Sequence, residues 1–406
     1  MRIAIATWNR RAVGGVETYL DRVVPALAAS GHEVAFWCEV DRPVERDRIG
    51  LPAGTPVICV ERLGRAAAVA DLRGWRPDLL YAHGLQDPDA EERLLDVAPA
   101  VFLAHNYFGT CISGAKTFKS PTIVPCERRF GWPCLAHYYP RRCGGWSPAT
   151  MWREFRRQQG RLDRLVRYRA IVTLSAHMRD EYVRHGFDAA RVFEVRAEPE
   201  GDAASPPGPP DAPGRDGWRL LFAGRMDRLK GGSYLIDALP RVARALGVPL
   251  RVTLAGDGPD RTRWERRAAS CASREPSLSI AFTGWLGRGA MEALLGESDL
   301  LVLPSLWPEP FGLVGLEAAR QRVPVAAFAV GGIPDWLHPG INGQLADGHP
   351  PTPEGLAAAV IACLKDQPTH ARLRAGAGRI SADRSFDRHV RTLLELFDRI
   401  VAGAES

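Results

Sequence analysis

Apolar residues fall along the chain in two kinds of run. Short blocks with little or no polar interruption are MRIAIAT, EVAFWC, PVICV, DLLYAH, AVFLAH and AIVTLS. Between them lie longer stretches in which apolar positions recur every three or four residues, as in VETYLDRVVPALAASG. Blocks this short and this apolar predict strands of a parallel sheet covered on both faces. The longer stretches predict helices. Strands are therefore expected at 1–7, 33–38, 56–60, 78–83, 100–105 and 170–175. A Gly14-Gly15 turn separates the first strand from its helix, and Gly31 ends that helix.

The alternation stops at 199–217, PEGDAASPPGPPDAPGRDG, where proline and glycine allow neither helix nor central strand. It resumes with strands at 218–224, 250–258, 278–284, 300–305 and 324–329, with helices at 233–246 and 313–321 and a helical tail over 354–402. Two successive βαβ sets predict an α/β protein of two doubly wound, Rossmann-like domains facing one another, with ligands at the carboxyl ends of the strands. The expected division is 1–198, with a cysteine-rich insert near 106–150, then a linker over 199–217 and a second domain over 218–385. The helix 386–406 is expected to cross back to the first domain.

Composition narrows the class. Hydrophobic residues make up 46% and charged residues 25%, which excludes wholesale disorder. No apolar run approaches the roughly 18 residues of a membrane span. The start MRIAIATWNRR lacks the apolar core of a secretory signal, so a cytoplasmic protein is expected. The net charge of +6 is mild but uneven: residues 101–169 hold thirteen Lys and Arg against three Asp and Glu. That zone suits phosphates or an anionic membrane surface, and equally a solvated arginine face. No nucleic-acid partner is expected. Lysine occurs only at 116, 119, 230 and 365, so Lys230 departs from the habit of an arginine-rich chain.

Three segments carry candidate chemistry. In LPSLWPEPFGLVGLE, 303–317, a strand ends, a tight turn follows, and Phe311-Gly312-Leu313 opens a helix. Backbone N–H groups at a helix start suit a phosphate. Glu309 before the helix and Glu317 within it can accept hydrogen bonds from paired sugar hydroxyls. In FAGRMDRLKGG, 222–232, Arg225 and Lys230 follow a strand and suit a diphosphate. Gly14-Gly15-Val16-Glu17 follows the first strand without a full GxGxxG pattern, as a loop facing a ligand.

Together these segments resemble the family-4 glycosyltransferases, retaining enzymes of the GT-B fold. That family shows an early Gly-Gly loop, a GR…KG segment opening the second domain and a pair of glutamates, here Glu309 and Glu317, eight residues apart. LAGDGP (254–259), FTGWL (282–286), SDLLVLPS (298–305) and AVGGIPDWLHPGINGQL (329–345) extend the match. The proline-rich linker and Asp335, where Glu is more usual, depart from it. The resemblance implies a nucleotide-diphosphate sugar donor held by Arg225, Lys230 and the backbone of Gly312 and Leu313. Gly15 would lie near the diphosphate, Trp285 near the nucleobase and Glu317 at the ribose. Glu309 and His105 would address the donor sugar. No cofactor or divalent metal would be required for catalysis. A covalent route needs a carboxylate nucleophile, and FLAHNYFGTC around His105 has no acid, so a same-face route with retention is expected. His83 also ends a strand and competes with His105 by position.

Two regions lie outside that pattern. Cys111, Cys126, Cys134 and Cys143 fall within an aromatic, proline-rich insert but show no CxxC. A structural zinc, disulfides and unconnected thiols all stay open. In MWREFRRQQGRLDRLVRYR, 151–169, Trp152, Phe155, Leu162 and Val166 recur near helical spacing among seven arginines. Such a helix either lies on the inner face of an anionic membrane, which would suit a lipid-linked acceptor, or packs its apolar stripe inward. Glycan, lipid-linked and small-molecule acceptors are all compatible. The alternatives to a transferase are a nucleotide-sugar epimerase of similar fold and an inactive nucleotide-sugar-binding scaffold.

Overall fold

The structure is a computed structural model that describes residues 1–10, 14–41, 48–196, 217–383 and 386–404. Its strands are, in chain order, β1 (Arg2–Asn9), β2 (Glu33–Val40), β3 (Val57–Cys59), β4 (Leu79–His83), β5 (Ala100–Ala104), β6 (Thr117–Phe118), β7 (Val124–Pro125), β8 (Ala170–Thr173) and β9 (Val192–Glu194). There follow β10 (Trp218–Ala223), β11 (Leu250–Ala255), β12 (Leu278–Gly284), β13 (Leu300–Leu303), β14 (Val325–Phe328) and β15 (Gly343–Ala346).

One parallel sheet has seven strands in the order β3-β2-β1-β4-β5-β8-β9, and another has six in the order β12-β11-β10-β13-β14-β15. The apolar blocks became these strands because both sheet faces are covered. Ile3, Ala4, Ile5 and Ala6 of β1 are fully buried, as are Leu300, Leu301 and Val302 of β13. Burying one such branched side chain stabilises the fold by roughly 1.5–3 kcal/mol. The short edge strands β9 and β15 and the β6–β7 hairpin carry too few apolar residues to stand out in the sequence.

Each sheet reverses its strand order once, between β1 and β4 and between β10 and β13. At such a point the loops leaving two adjacent carboxyl ends diverge and open a crevice for ligands.

The chain divides into two compact units. The first comprises Met1–Ala115, Arg128–Ala197 and Asp387–Ser406, and the second Lys116–Glu127 and Glu198–Phe386. The C-terminal helix, Phe386–Ala402, is thus counted almost wholly with the first unit. The expected 1–198 domain differs in one respect. Residues 116–127, inside the insert, group with the second unit. They form the β6–β7 hairpin, whose own pairing and the Cys126 N–H bond to Lys116 O at 2.8 Å close it locally. Apart from Gly217, the expected linker 199–217 lies outside the described residues.

Candidate active site

In the second unit, the carboxyl ends of β10 and β13 bring two sequence segments into bonding contact. After β10 the chain enters a short 3-10 turn, Arg228–Lys230, fixed by the Asp227 carboxylate, which accepts from the Leu229 and Lys230 N–H groups at 2.9 and 3.2 Å. After β13, the Leu306 N–H donates to Leu229 O at 2.7 Å, joining the two loops through the backbone. Gly231 sits at that join with φ +71°, and a Cβ there would lie 1.7 Å from Pro304 O. Only glycine fits.

This join presents Lys230 to Glu309. The Lys230 ammonium lies 2.6 Å from Glu309 Oε1, and the same oxygen accepts from Ser305 Oγ at 2.5 Å. Glu309 is nearly buried, and Lys230 also stands 5.1 Å from the centre of the Trp307 ring. The Glu309 carbonyl accepts from the Gly332 N–H at 2.7 Å, so the AVGG loop after β14 fixes its backbone. Gly312, φ +85°, caps the helix Leu313–Arg320 without a side-chain bond, leaving first-turn N–H groups available to an anion. Trp336 is fully buried and supports that turn, its Nε1 donating to Phe311 O at 2.6 Å.

The other residues expected there are placed as follows. Leu313 opens the helix and Glu317 sits half-buried in its second turn. Arg225 is exposed and, among the described residues, pairs with Asp227 at 3.7 Å, so its side chain is not gathered with Lys230 and Glu309. Trp285 follows the end of β12 and is exposed. Ser305 was the residue that sequence reasoning missed. Its signal was its place directly after a strand, four residues before Glu309.

The first unit assembles a different group. His83 ends β4 and His105 follows β5, which pairs with β4, and the two rings meet with His83 Nδ1 2.9 Å from His105 Nε2. Burial holds His83 well below the ordinary histidine range, aided by the neighbouring His105. Burial also pushes His105 down to about 3. Both rings are therefore neutral at pH 7, and one nitrogen of the pair donates. His83 Nε2 is buried without a hydrogen-bond partner. An unpaired lone pair is tolerated better than an unpaired N–H. The favoured tautomer has His83 Nδ1–H donating, which leaves His105 with an Nδ1–H to offer. His83 and His105, which competed in the sequence, thus form one pair.

Tyr19 packs against both rings, with centroids 5.9 Å from His83 and 5.5 Å from His105. Its hydroxyl lies 2.9 Å from both Tyr81 OH and His389 Nε2, and His389 Nδ1 lies 2.7 Å from Arg196 O. A carbonyl only accepts, so His389 Nδ1 carries the proton, Nε2 accepts from Tyr19, and Tyr19 accepts from Tyr81. Gly15 opens the helix Gly15–Ala29 with no side-chain cap. Glu17, two residues on, is buried at 3% exposure and bonded to Asn9 Nδ2 at 3.4 Å, and burial raises its carboxyl above the ordinary range.

The insert and its helix behave otherwise. No group of three or more His, Cys, Asp or Glu is placed to hold a metal among the described residues. Cys111 Sγ lies 3.5 Å from Ser113 Oγ, while Cys134 and Cys143 point to the carbonyls of Arg129 and His137, each at 3.9 Å. Cys126 belongs to the hairpin of the other unit. The helix Pro148–Leu165 packs Phe155, Gln158, Arg161 and Leu165 inward; of the stripe Trp152, Phe155, Leu162 and Val166, Phe155 is buried, Leu162 half-buried, and Trp152 and Val166 exposed. No helix among the described residues is long and apolar enough to cross a membrane. An open concavity of about 740 Å³ near Asp96, Pro99, Arg169 and Arg191 lies at the amino ends of β5 and β8, away from these groups.

Residues 13–195 match the family model described as Glycosyltransferase Family 4, and residues 212–379 that described as Glycosyl transferases group 1. The chain is 29% identical to a glycogen synthase of Mycobacterium tuberculosis over 434 aligned positions, covering 95% of this chain and 91% of that one. It is 34% identical over 195 positions to a D-inositol 3-phosphate glycosyltransferase of Salinispora arenicola, covering 46% and 42% of the two chains. Anabaena Alr3699/HepE, solved in complex with UDP and glucose, superposes with a TM-score of 0.66 at 17% identity, covering 98% of this chain and all of that one. WaaG, a glycosyltransferase involved in lipopolysaccharide biosynthesis, superposes with a TM-score of 0.68 at 16% identity, covering 97% and 99%. These structural likenesses establish the fold.

Proposed function

The chain belongs to the family-4 glycosyltransferases, with their GT-B fold, and from that premise we propose that it moves a sugar from a nucleoside-diphosphate sugar to an acceptor hydroxyl with retention at the anomeric carbon. The observation that carries this reading is the junction of Lys230, Ser305 and Glu309 at the strand-order reversal of the second sheet. A cation, a carboxylate and an uncapped helix start are the parts a diphosphate sugar needs.

In this reading Lys230 and Arg225 take the diphosphate, with the Gly312 and Leu313 N–H groups. Glu309, already fixed through Ser305 and Gly332, accepts from the sugar hydroxyls. Glu317 takes the ribose and Trp285 the base, while Gly15 offers a helix start to the phosphates. The cations and N–H groups carry the charge that grows on the leaving diphosphate, so no metal is assigned to the chemistry. HepE is solved with UDP, which makes a UDP-sugar the first donor to try. A glucan, a lipid-linked intermediate and a small polyol are the acceptors to test beside it.

Retention through a covalent intermediate requires an accessible carboxylate about 5 Å from the acid–base group. Asn106, Tyr107 and Phe108 beside His105 carry none, and Glu17 is buried and bonded to Asn9. The proposed route is therefore same-face. The bond from the anomeric carbon to the phosphate oxygen breaks, the acceptor oxygen bonds to that carbon on the same face, and the departing phosphate takes the acceptor's proton. Neutral His105, held by His83, positions the sugar by donating a hydrogen bond and transfers no proton. Proton NMR of the product, in a chelator-treated reaction, tests the route. A retained anomer supports it and an inverted one rejects it. An epimerised donor without acceptor would instead support the epimerase, and binding without turnover the scaffold.

A further inference from the structure

The insert and the start of the helix that follows it carry three exposed indoles. Trp132, Trp146 and Trp152 are 66%, 72% and 43% exposed; Trp8 and Trp285 are exposed elsewhere, while Trp37, Trp264 and Trp336 are fully buried. They are fixed in place. The short helix Pro133–Tyr138 begins beside Trp132 and ends beside Tyr139. At its start, Trp132 packs 6.0 Å from Trp152 and 5.0 Å from Phe155 of the helix Pro148–Leu165. At its end, Trp146 stacks on Tyr139 at 6.2 Å. Six residues at about 1.5 Å each put the two clusters roughly 10 Å apart along that helix.

The charge around them has one sign. Residues 128–157 hold seven arginines and a single acid, Glu154. Two of the guanidiniums lie over the exposed rings, Arg142 at 5.9 Å from Trp146 and Arg156 at 6.0 Å from Trp152. Arg153 is exposed on the first turns of the same helix. Indoles settle at the boundary between headgroups and acyl chains, and arginines beside them attract anionic headgroups. A sugar-binding platform would set carboxylates and amides around its rings to accept hydroxyls. Here arginine takes those places.

We propose that this face is a docking surface for an anionic lipid bilayer, with Trp132, Trp146 and Trp152 inserted at the headgroup boundary and Arg142, Arg153 and Arg156 on the lipid phosphates. It differs from a helix lying flat on the membrane, because Phe155 and Leu165 of Pro148–Leu165 are buried in the protein while Trp152 near its start faces outward. The surface is independent of the donor site, so nucleotide binding and lipid binding succeed or fail separately.

The test is flotation of the full chain with vesicles of phosphatidylcholine and with vesicles in which a third of the lipid is phosphatidylglycerol. Binding is expected only to the anionic vesicles and should weaken as salt rises. W132A/W146A/W152A should lose it. R142Q/R153Q/R156Q should weaken it by on the order of a hundredfold, from about fivefold per arginine. Both variants should keep wild-type nucleotide affinity. Should the triple indole variant fail to fold, W146A alone, at the most exposed ring, should still reduce binding. Absence of vesicle binding, equal binding to both vesicles, wild-type binding by the variants, or binding to an anionic polysaccharide without binding to vesicles would each overturn the proposal.

Discussion

The carboxyl ends of the two sheets carry opposite chemistry, at the strand-order reversal in the second sheet and one strand pair along from it in the first. Beyond β10 and β13 stand charged groups on short loops, with Lys230, Glu309 and Ser305 sharing one oxygen. Beyond β4 and β5 stand neutral rings, His83 and His105, backed by Tyr19, Tyr81 and His389. A charged junction is suited to gripping a diphosphate and to following its charge as it grows. A neutral ring pair cannot bind an anion strongly, but it can hold a donor N–H in one direction. The proposed division of labour follows: the second unit binds and stabilises, and the first unit orients.

The largest effects should come from breaking the charged side. Lys230→Ala removes the cation and leaves Glu309 with only Ser305. Turnover should fall by about a hundredfold or more, since a charged hydrogen bond contributes about 1.5–3 kcal/mol and matters most as charge develops. Steady-state kinetics of wild type and variant would show it. Glu309→Gln should lower kcat, whereas Glu317→Gln should chiefly raise the donor KM. Full turnover in both would place the site elsewhere.

On the neutral side, His105→Ala should slow transfer strongly while leaving nucleotide affinity within about twofold. His83→Ala should give a smaller loss of kcat, because it frees the His105 ring without removing it. Equal losses of affinity in His105→Ala and Lys230→Ala would erase the contrast between the units.

Smaller effects concern what holds each arrangement. Gly231→Ala places a Cβ against Pro304 O and should cost about 1–3 kcal/mol of stability, read by thermal melting. Tyr19→Phe strands the Tyr81 hydroxyl and His389 Nε2 and should cost about 1–3 kcal/mol without changing nucleotide affinity. The neutral histidines also give a pH signature. His105 is pushed down to about 3 and His389 to about 4, both by burial, from an ordinary value of 6.5. In the unfolded chain they take protons below about pH 6.5, and in the folded chain only much lower, so their contribution is full above 6.5 and lost as pH falls toward those values. At pH 5 the loss is about 2 kcal/mol per histidine, and melting temperature should drop between pH 7 and 5. An unchanged melting temperature would mean the rings are charged or exposed.

The same contrast explains what could be read in the sequence. The charged site was legible because its parts are local. Gly224-Arg225…Lys230-Gly231 and Glu309…Glu317 each span a single strand-loop-helix step, and apolar blocks located the strands that carry them. The contacts between them went unseen: Lys230 meets Glu309 because β10 lies beside β13, Ser305 has many ordinary uses after a strand, and Arg225 stands apart from the group. The neutral site was half legible. His83 and His105 were both visible at strand ends, but their pairing depends on β4 lying beside β5. Tyr19 and His389 are 370 residues apart, and no spacing announces a bond between them. The cysteines show the reverse case. Proximity in sequence suggested a cluster, and the fold counts Cys126 with the second unit and Cys111, Cys134 and Cys143 with the first, a division no spacing announces.

In the proposed division, nucleotide binding belongs to the charged junction and orientation to the neutral ring pair. Calorimetric titration of UDP into wild type, Lys230→Ala and His105→Ala tests it directly. Affinity should weaken at least about tenfold in Lys230→Ala and stay unchanged in His105→Ala. Wild-type affinity in Lys230→Ala, with the wild type itself binding UDP, would contradict it.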